Sequence, residues 1–380
     1  MPAGDLIESV SVMSIYARIP VPIVFGDWVM REREFALVQV RSRDGMVGHA
    51  YCLTRDGAVP EQIRRTIAPV YGGTSAKDRE RTFRLAWRRS LPSHASGVGH
   101  RALSVVDLAS WDLAAKSEGV SIARFLRGSN APMKVTAIVG FPPARIGPEE
   151  IGEQVKSLHA KGWRRFKAPM AASHELTAAR MRAARQAVPT DWLGLDGVWT
   201  FDDADLAAGF INGLEDVHLG WFEDVFPPGD AARVRALKEK TKTPIAMGDD
   251  QGGAYFPEAL IALRAVDVVR VDLTTMGGIT FGRDVIQSVV DAGLQLSPHM
   301  FPHIHSQVFA ALGHRDVPIE WGVPGTGVHP MDDPLTQPTL DADGVMAPLP
   351  EAPGFGPLVN KDWIEEQRYD DPDGVLSAVD

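Results

Sequence analysis

Ionisable side chains recur along the second half of the chain at a nearly constant spacing, each in or just after a short apolar run. The spacing is roughly 21 to 29 residues, about the length of one strand, one helix and two loops. The series is Lys167, Asp196, Glu223, Asp249, Asp272 and His299, extended by Glu320. Because the C-terminal ends of parallel barrel strands converge on one mouth, this pattern predicts an α/β barrel with an active site at that mouth.

The wider pattern of the chain agrees with a barrel preceded by a different kind of domain. Residues 6–53 are typical of antiparallel strands, with a turn signal at Asp44-Gly45, and residues 60–127 are typical of helices. From Met133 onwards, eight short apolar strands alternate with seven amphipathic helices. The predicted strands are 134–141, 164–170, 192–196, 220–225, 244–249, 268–273, 295–299 and 318–321.

Three segments follow from this organisation. They are a small α+β domain over residues 1–130, a barrel over 131–322, and a proline- and glycine-rich segment over 323–380. The last segment also carries scattered apolar residues, including Leu335, Leu340 and Phe355, which favour an ordered excursion over a flexible tail. We expect it to pack back on the first domain.

Composition limits the partners of the chain. Its formal net charge is -10, so nucleic acid phosphates would be repelled, and its composition of 44% hydrophobic and 23% charged residues is ordinary for a globular enzyme. One cysteine, Cys52, fits a reducing compartment. Residues 1–5 lack the basic stretch of a signal peptide, and no apolar run reaches membrane-spanning length. These features predict a cytoplasmic protein that binds a small molecule and neither nucleic acid nor membrane.

Three carboxylates on consecutive predicted strands, Asp196, Glu223 and Asp249, indicate a metal site. Converging carboxylates repel one another unless a cation or a proton intervenes. Oxygen-only ligands suit Mg²⁺, and the absence of cysteine or histidine from the set disfavours zinc. Asp250 follows Asp249 directly, so either residue can be the third ligand.

Asp272 and His299 lie on the next two predicted strands and form a candidate base. A carboxylate on one ring nitrogen fixes the tautomer and raises the basicity of the other nitrogen. His303 and His305 compete for this role, although the strand register favours His299. We therefore predict proton abstraction by His299, supported by Asp272.

Two further residues of the series complete the predicted site. Lys167 lies within an apolar strand, where a lysine is costly to bury unless it meets an anion, so we expect it to hold a substrate carboxylate. Glu320 precedes Trp321 on the last strand. If it is desolvated it should stay protonated and donate a hydrogen bond to a developing enolate oxygen.

The motifs together resemble the enolase superfamily, mandelate racemase subgroup. They are the helix 101–116 (Arg-Ala-Leu-Ser-Val-Val-Asp-Leu-Ala-Ser-Trp-Asp-Leu-Ala-Ala-Lys), Trp221-Phe222-Glu223-Asp224, Met247-Gly248-Asp249, Asp272 with Gly277-Gly278-Ile279-Thr280, Ser297-Pro298-His299 and Ile319-Glu320-Trp321. The resemblance implies an N-terminal α+β capping domain, a modified TIM barrel of the (β/α)7β type and one Mg²⁺ per subunit. It also implies three metal ligands, an Asp–His dyad and a glutamate near the enolate at the matching positions, and a homo-oligomer.

Two departures from the family pattern bear on the reaction. Where relatives often have Lys-x-Lys, this chain has Lys167-Ala168-Pro169, and proline cannot carry a proton. Where relatives often have Asp-x-Asn, it has Asp196-Gly197-Val198. The Lys-x-Pro motif and the segment Pro353-Gly354-Phe355-Gly356 are most similar to the L-rhamnonate dehydratase branch.

The implied activity is an acid-sugar dehydratase acting on an aldonate or aldarate. It would remove the proton α to a carboxylate and the β-hydroxyl, giving a 2-keto-3-deoxy acid. The alternatives are a racemase or epimerase of 2-hydroxy acids, a Schiff-base aldolase using Lys167, and a non-catalytic binding protein. We expect the loops around Ile19–Trp28 and Leu53–Val59 to select the substrate.

Overall fold

The computed structural model describes residues 6–25 and 28–379, without the side chains of residues 25, 90 and 92–94. The N-terminal stretch 1–5 and part of the predicted loop Ile19–Trp28 thus lie outside the described residues. The first domain contains a meander of three antiparallel strands, β1 (Ile7–Phe25), β2 (Trp28–Ser42) and β3 (Val47–Leu53). The turn at Asp44-Gly45 joins β2 to β3, as the sequence predicts.

Helices cover one face of this sheet. They are α1 (Val59–Gln62), a π-helical turn (Ile63–Ile67), α2 (Ala68–Tyr71), α3 (Arg79–His94), α4 (Gly97–Ser117) and α5 (Ile122–Phe125). The central helix α4 is buried from Gly99 to Ala115 and lies close against β3. A Cβ atom at Gly48 would come within 2.2 Å of the Ala109 carbonyl oxygen, so only glycine permits this approach.

The second domain is a barrel of eight parallel strands and seven helices within the described part of the chain. The strands are β4 (Met133–Ile138), β5 (Arg165–Pro169), β6 (Trp192–Asp196), β7 (Trp221–Glu223), β8 (Ile245–Met247), β9 (Val268–Val271), β10 (Gln295–Pro298) and β11 (Ile319–Gly322). The helices are α6 (Pro148–Ala160), α7 (His174–Ala187), α8 (Ala204–Asn212), α9 (Ala231–Lys238), α10 (Tyr255–Ala262), α11 (Gly278–Asp291) and α12 (Pro302–Ala311). The pairing order runs from β10 through β9 to β4 and then β11, which leaves the barrel nearly closed. The predicted (β/α)7β barrel with an N-terminal α+β domain is confirmed.

The C-terminal segment contacts both domains. Strand β12 (Val345–Met346) pairs antiparallel with β4, and strand β13 (Arg368–Asp370) pairs antiparallel with β1, after helix α13 (Lys361–Glu365). Tyr51 of β3 donates a hydrogen bond to Asp332 of this segment. The edge strand of the first sheet is thereby covered by residues from the far end of the sequence.

None of the helices in the described residues has the length and apolar character needed to cross a membrane.

A buried hydrogen-bonded cluster joins the first domain to the barrel. Asp107 of α4 accepts hydrogen bonds from the Thr280 backbone nitrogen at 3.0 Å and from its hydroxyl at 2.6 Å. Trp111 Nε1 donates to the same hydroxyl at 3.0 Å. Because these groups are excluded from water, each depends on its partner, and the cluster fixes the position of α11 against α4.

We predict that Asp107→Ala destabilises the protein by about 1–3 kcal/mol, because it leaves a buried backbone N–H and a buried hydroxyl without an acceptor. Urea unfolding followed by circular dichroism measures the loss. Ser110→Ala is the matched control, since the Ser110 hydroxyl only donates to Val106 in its own helix. Equal losses in the two variants would contradict a specific role for Asp107 at the interface.

Candidate active site

The predicted residues all lie at one end of the barrel, where the strands terminate. Asp196 and Glu223 are the last residues of β6 and β7, and Asp272 and His299 directly follow β9 and β10. Asp249 lies two residues beyond β8, after Gly248, whose φ of +151° and close approach to the Arg270 carbonyl require glycine. Lys167 and Glu320 lie within β5 and β11.

Four buried charges of alternating sign form a closed ring inside the barrel. Lys167 Nζ lies 2.9 Å from Glu223 Oε1 and 2.5 Å from Glu320 Oε1. Arg270 completes the ring, with Nε 2.9 Å from Glu223 Oε1 and Nη2 2.9 Å from Glu320 Oε2. The four side chains come from β5, β7, β9 and β11, so they form one layer from alternate strands, a position usually filled by branched apolar residues.

Arg270 was not predicted as part of the site. It is fully buried, and its Nη1 also donates to Ser297 Oγ at 2.6 Å. The available signal was a guanidinium in the otherwise apolar run Val268-Val269-Arg270-Val271. A charge at such a position requires an internal counter-charge, and Glu223 and Glu320 supply it.

The ring corrects the expectation for Glu320. Burial alone raises the pKa of a carboxyl, but the Arg270 guanidinium and the Lys167 ammonium outweigh it and lower the pKa of Glu320 below its usual value. The predicted protonated hydrogen-bond donor is therefore wrong for this arrangement. Although burial alone would favour a neutral amine, Glu223 and Glu320 raise the pKa of Lys167, so the lysine stays an ammonium.

Above the ring lies a cluster of carboxylates. Within residues 6–25 and 28–379, two groups of three acidic side chains bring their oxygens within 4.8 Å of one another: Asp196, Glu223 and Asp224, and then Asp224, Asp249 and Asp250. Neither group holds all three predicted ligands, and Asp224 belongs to both. Sequence reasoning missed Asp224, which turns into the cavity through a left-handed backbone conformation with φ of 46°.

Several of these oxygens lack the partners that burial demands. Three oxygens form no hydrogen bond with any described residue: both oxygens of Asp249 and Oε2 of Glu223. All three are shielded from solvent. Burial, and next its acidic neighbours, raise the pKa of Asp224, while burial and Asp250 raise that of Asp249. Buried oxygens of this kind need a cation or a proton, and an all-oxygen donor set is what Mg²⁺ binds.

The choice between Asp249 and Asp250 has a structural basis. Both oxygens of Asp250 accept hydrogen bonds from Arg55, from Nε at 3.1 Å and Nη2 at 2.9 Å. Arg101 Nη2 lies 3.5 Å from Oδ1 of the same carboxylate. Asp250 is thus neutralised by two arginines, whereas the oxygens of Asp249 remain available.

His299 and Asp272 are brought together. Nδ1 of His299 lies 3.0 Å from Asp272 Oδ2 and 3.2 Å from Asp249 Oδ2, and the ring lines the cavity. Burial, and next the cations Arg270 and Arg55, lower the pKa of His299 well below its usual value. The ring is therefore neutral and able to accept a proton, although its surroundings do not raise its basicity as the sequence argument expected.

The competing histidines are occupied elsewhere. His303 Nε2 lies 2.9 Å from the Thr336 carbonyl oxygen, to which it donates. His305 Nδ1 donates to the Met300 carbonyl at 2.6 Å, and its Nε2 accepts from the Leu273 backbone nitrogen at 3.0 Å. Neither ring lines the cavity, whereas that of His299 does.

The cavity above these groups has an empty volume of about 680 Å³ with its open mouth included. The barrel supplies Ile138, Phe141, Lys167, Pro169, Asp196, Val198, Trp199, Asp224, Asp250, His299 and Met300 to its wall. The first domain adds Trp28, Met30, Arg33, Leu53 and Arg55, and the C-terminal segment adds Val328. All three parts of the chain therefore build one binding cavity.

Family models match both domains. The model for the mandelate racemase / muconate lactonizing enzyme N-terminal domain matches residues 7–127. The model described as enolase C-terminal domain-like matches residues 150–363, more than half of the chain.

Relatives and solved structures extend this similarity over most of the chain. D-galactarolactone cycloisomerase of Agrobacterium fabrum is 23% identical over 378 residues, covering 93% of this chain and 97% of the relative. L-rhamnonate dehydratase of Saccharopolyspora erythraea is 26% identical, covering 88% and 85%. The structure of L-talarate dehydratase from Polaromonas sp. JS666, complexed with Mg and L-glucarate, has a TM-score of 0.82 at 22% identity, covering 96% and 99%.

We predict that the protein binds Mg²⁺ and that Asp249→Asn weakens this binding. Loss of a residue that only supports a metal ligand lowers metal affinity by roughly 10- to 100-fold, and loss of a ligand should cost more. Isothermal titration calorimetry with MgCl₂ measures the affinity. Asp250→Asn is the matched control and should bind Mg²⁺ nearly as the parent does, because Arg55 already occupies Asp250. A larger loss in Asp250→Asn would make Asp250 the ligand.

Proposed function

We propose that this chain, which belongs to the mandelate racemase / muconate lactonizing enzyme family, is an Mg²⁺-dependent dehydratase of sugar acids. The observation that carries the proposal is a neutral histidine, His299, on the cavity wall beside the carboxylate cluster, in which Asp249 and one oxygen of Glu223 have no hydrogen-bond partner. That pairing suits removal of a proton next to a carboxylate. The relatives named dehydratases support the same reaction type.

The metal site is proposed from the donor set. Asp196, Glu223 and Asp249 would hold Mg²⁺, with Asp224 close enough to join them. Lys167 and Arg270 both approach Oε1 of Glu223, which leaves Oε2 directed away from the ion pairs and available as a ligand. Bound Mg²⁺ would act as a Lewis acid that stabilises negative charge developing on the substrate carboxylate.

Proton abstraction is assigned to His299. Because Nδ1 faces Asp272 and Asp249, the other ring nitrogen, Nε2, is the one available to take the α-proton. Burial raises the pKa of Asp272 to about 6, so above that pH the carboxylate accepts from Nδ1–H and fixes the tautomer. Asp272 and His299 would thus act as one base.

Lys167 and Glu320 contribute charge in this proposal without carrying protons. Lys167 is held as an ammonium beside Glu223 and lines the cavity, so its field favours a substrate carboxylate at that end. Glu320 is ionised, and it holds Lys167 and Arg270 in place. Oε2 of Glu320 also accepts a hydrogen bond from the Met300 backbone N–H at 3.1 Å. This bond positions Met300, which directly follows His299.

The elimination follows from the single base. His299 takes the proton from carbon 2, the carbon–oxygen bond at carbon 3 breaks, and the leaving hydroxyl receives the proton back from His299 as water forms. The resulting enol tautomerises to the 2-keto-3-deoxy acid. Pro169 lines the cavity where a second lysine would be needed, so departure takes place on the face that His299 reaches.

The site does not suit the three alternative functions. A racemase or epimerase needs a proton carrier on the second face, and Pro169 is not one. A Schiff-base aldolase needs a neutral amine, whereas Glu223 and Glu320 outweigh burial and keep Lys167 charged. A non-catalytic binding protein would not require a dyad aimed into the cavity.

We predict that His299→Asn lowers kcat by roughly 10²–10⁴-fold, the contribution typical of a general base. A screen of sugar acids for 2-keto acid formation identifies the substrate, and turnover of the variants is then compared at saturating Mg²⁺. His299→Asn should still bind Mg²⁺, since the ring is not a ligand. His303→Asn is the control and should keep its turnover; the reverse result would move the base to His303.

The position of Pro169 gives a stereochemical prediction. In D₂O, 2-hydroxy acids that lack a β-leaving group should exchange the α-proton with retained configuration, because one base reaches one face. Proton NMR measures the exchange, and chiral chromatography measures the configuration. Exchange with full racemisation would reveal a second base and shift the function from dehydratase to racemase.

A further inference from the structure

Three cationic side chains line the cavity, and two of them are already neutralised. Arg55 is paired with Asp250 at 2.9 Å, and Lys167 is paired with Glu223 and Glu320. The third is Arg33, which projects from β2 of the first domain. No carboxylate among the described residues lies within ion-pair distance of Arg33.

Arg33 is nevertheless a buried side chain. It is 8% exposed, and its Nε donates a hydrogen bond to the Gly327 carbonyl oxygen at 2.9 Å. That bond anchors one edge of the guanidinium to the C-terminal segment. No hydrogen bond joins its terminal nitrogens, which form a two-pronged donor edge, to another described residue.

Comparison with Arg55 shows that Arg33 lacks a neighbouring carboxylate as counter-charge. Arg33 is buried and Arg55 is partly buried, with 26% of its side chain exposed, and burial disfavours both charges. At Arg55 the neighbouring Asp250 outweighs burial and raises the pKa. At Arg33 burial, followed by repulsion from Arg55, lowers the pKa to about 9. A buried guanidinium in this position is stabilised when an anion enters the cavity.

The cavity would then carry two anion sites, one from each domain. The barrel end has Lys167 and the carboxylates that suit Mg²⁺, and it receives the reacting carboxylate in the proposed function. Arg33 belongs to the other domain and is fixed to the loop at Gly327. A planar guanidinium edge matches the two oxygens of a carboxylate, and it has no comparable preference for a neutral hydroxymethyl group.

We propose that Arg33 binds the second, non-reacting carboxylate of the substrate, so that this chain acts on sugar diacids (aldarates) in preference to sugar monoacids (aldonates). This inference rests on the proposed dehydratase function for its catalytic readout. It assigns specificity to a residue outside both loops that the sequence pointed to, Ile19–Trp28 and Leu53–Val59.

The test uses pairs of acids that share the configuration of carbons 2 to 5 and differ at carbon 6: galactarate with galactonate, and glucarate with gluconate. Wild-type enzyme should favour the diacid of whichever pair it accepts. Arg33→Met should lower kcat/KM for the diacid by roughly 10- to 100-fold, the value of a charge-assisted contact, and change the monoacid only slightly. Arg33→Lys, which keeps the charge and loses the fork, should recover part of the loss.

Arg31→Met is the matched control, since it removes one positive charge from an exposed position on the same strand. It should leave both acids unaffected. Thermal unfolding of each variant establishes that it is folded. Equal losses of diacid and monoacid turnover in Arg33→Met would overturn the inference, as would a wild-type preference for the monoacid.

A binding measurement separates this inference from the proposed function. Isothermal titration of galactarate and galactonate, with Mg²⁺ present, reports affinity whether or not turnover occurs. If neither acid is dehydrated but Arg33→Met selectively loses galactarate affinity, the dehydratase proposal fails and the diacid site stands. If monoacids are dehydrated and Arg33→Met has no selective effect, the dehydratase stands and the diacid site fails.

Discussion

The ring of Lys167, Glu223, Arg270 and Glu320 is the constraint on which the barrel interior depends. Two cations and two anions are removed from water together, and each carboxylate contacts both cations. Taking away one member leaves a buried charge uncompensated, which typically costs about 3–5 kcal/mol. The ring therefore fixes β5, β7, β9 and β11 relative to one another. It also leaves Oε2 of Glu223 outside the ion pairs and without a hydrogen bond, so the ring decides which oxygen of Glu223 is free for the site above it.

Much of the fold and part of the site could be predicted because a constant spacing is a property of the chain itself. The positions of Asp196, Glu223 and His299 at strand ends follow from that spacing. Arg270 stood out only as a guanidinium in an apolar run, and its role, like that of Arg33, depends on partners from distant strands and loops. In a strand, successive side chains point to opposite faces, so strand alternation alone would direct Asp224, after Glu223, away from the cavity. Its left-handed backbone reverses that direction. The charge state of Glu320 was mispredicted because it depends on Arg270, a partner from a distant strand.

Backbone strain is concentrated where the strands end. Val198 and Trp199, which follow Asp196, have φ of 47° and 54°, and Met300 and Phe301, which follow His299, have φ of 48° and 46°. Such conformations typically cost about 1–3 kcal/mol each for side-chain-bearing residues and persist where surrounding contacts over-determine them. The Trp199 backbone nitrogen donates to the Asp224 carbonyl at 2.7 Å, and the Val198 nitrogen donates to Asp196 Oδ1 at 3.0 Å. The strained turns thus hold the polar groups inward.

The pairing of β13 with β1 has a consequence for synthesis. The first sheet is begun by Ile7–Phe25 and completed by Arg368–Asp370, which are synthesised more than three hundred positions later. Until then the outer edge of β1 carries unpaired backbone groups at Ser14 and Tyr16, an exposed template for another nascent chain. The barrel strands, which pair with their sequence neighbours except where β11 pairs with β4, all precede β13 in the chain. The sheet of the first domain therefore keeps an open edge on β1 until the C-terminal segment has been made, and such an edge is a site where a strand of another chain can pair.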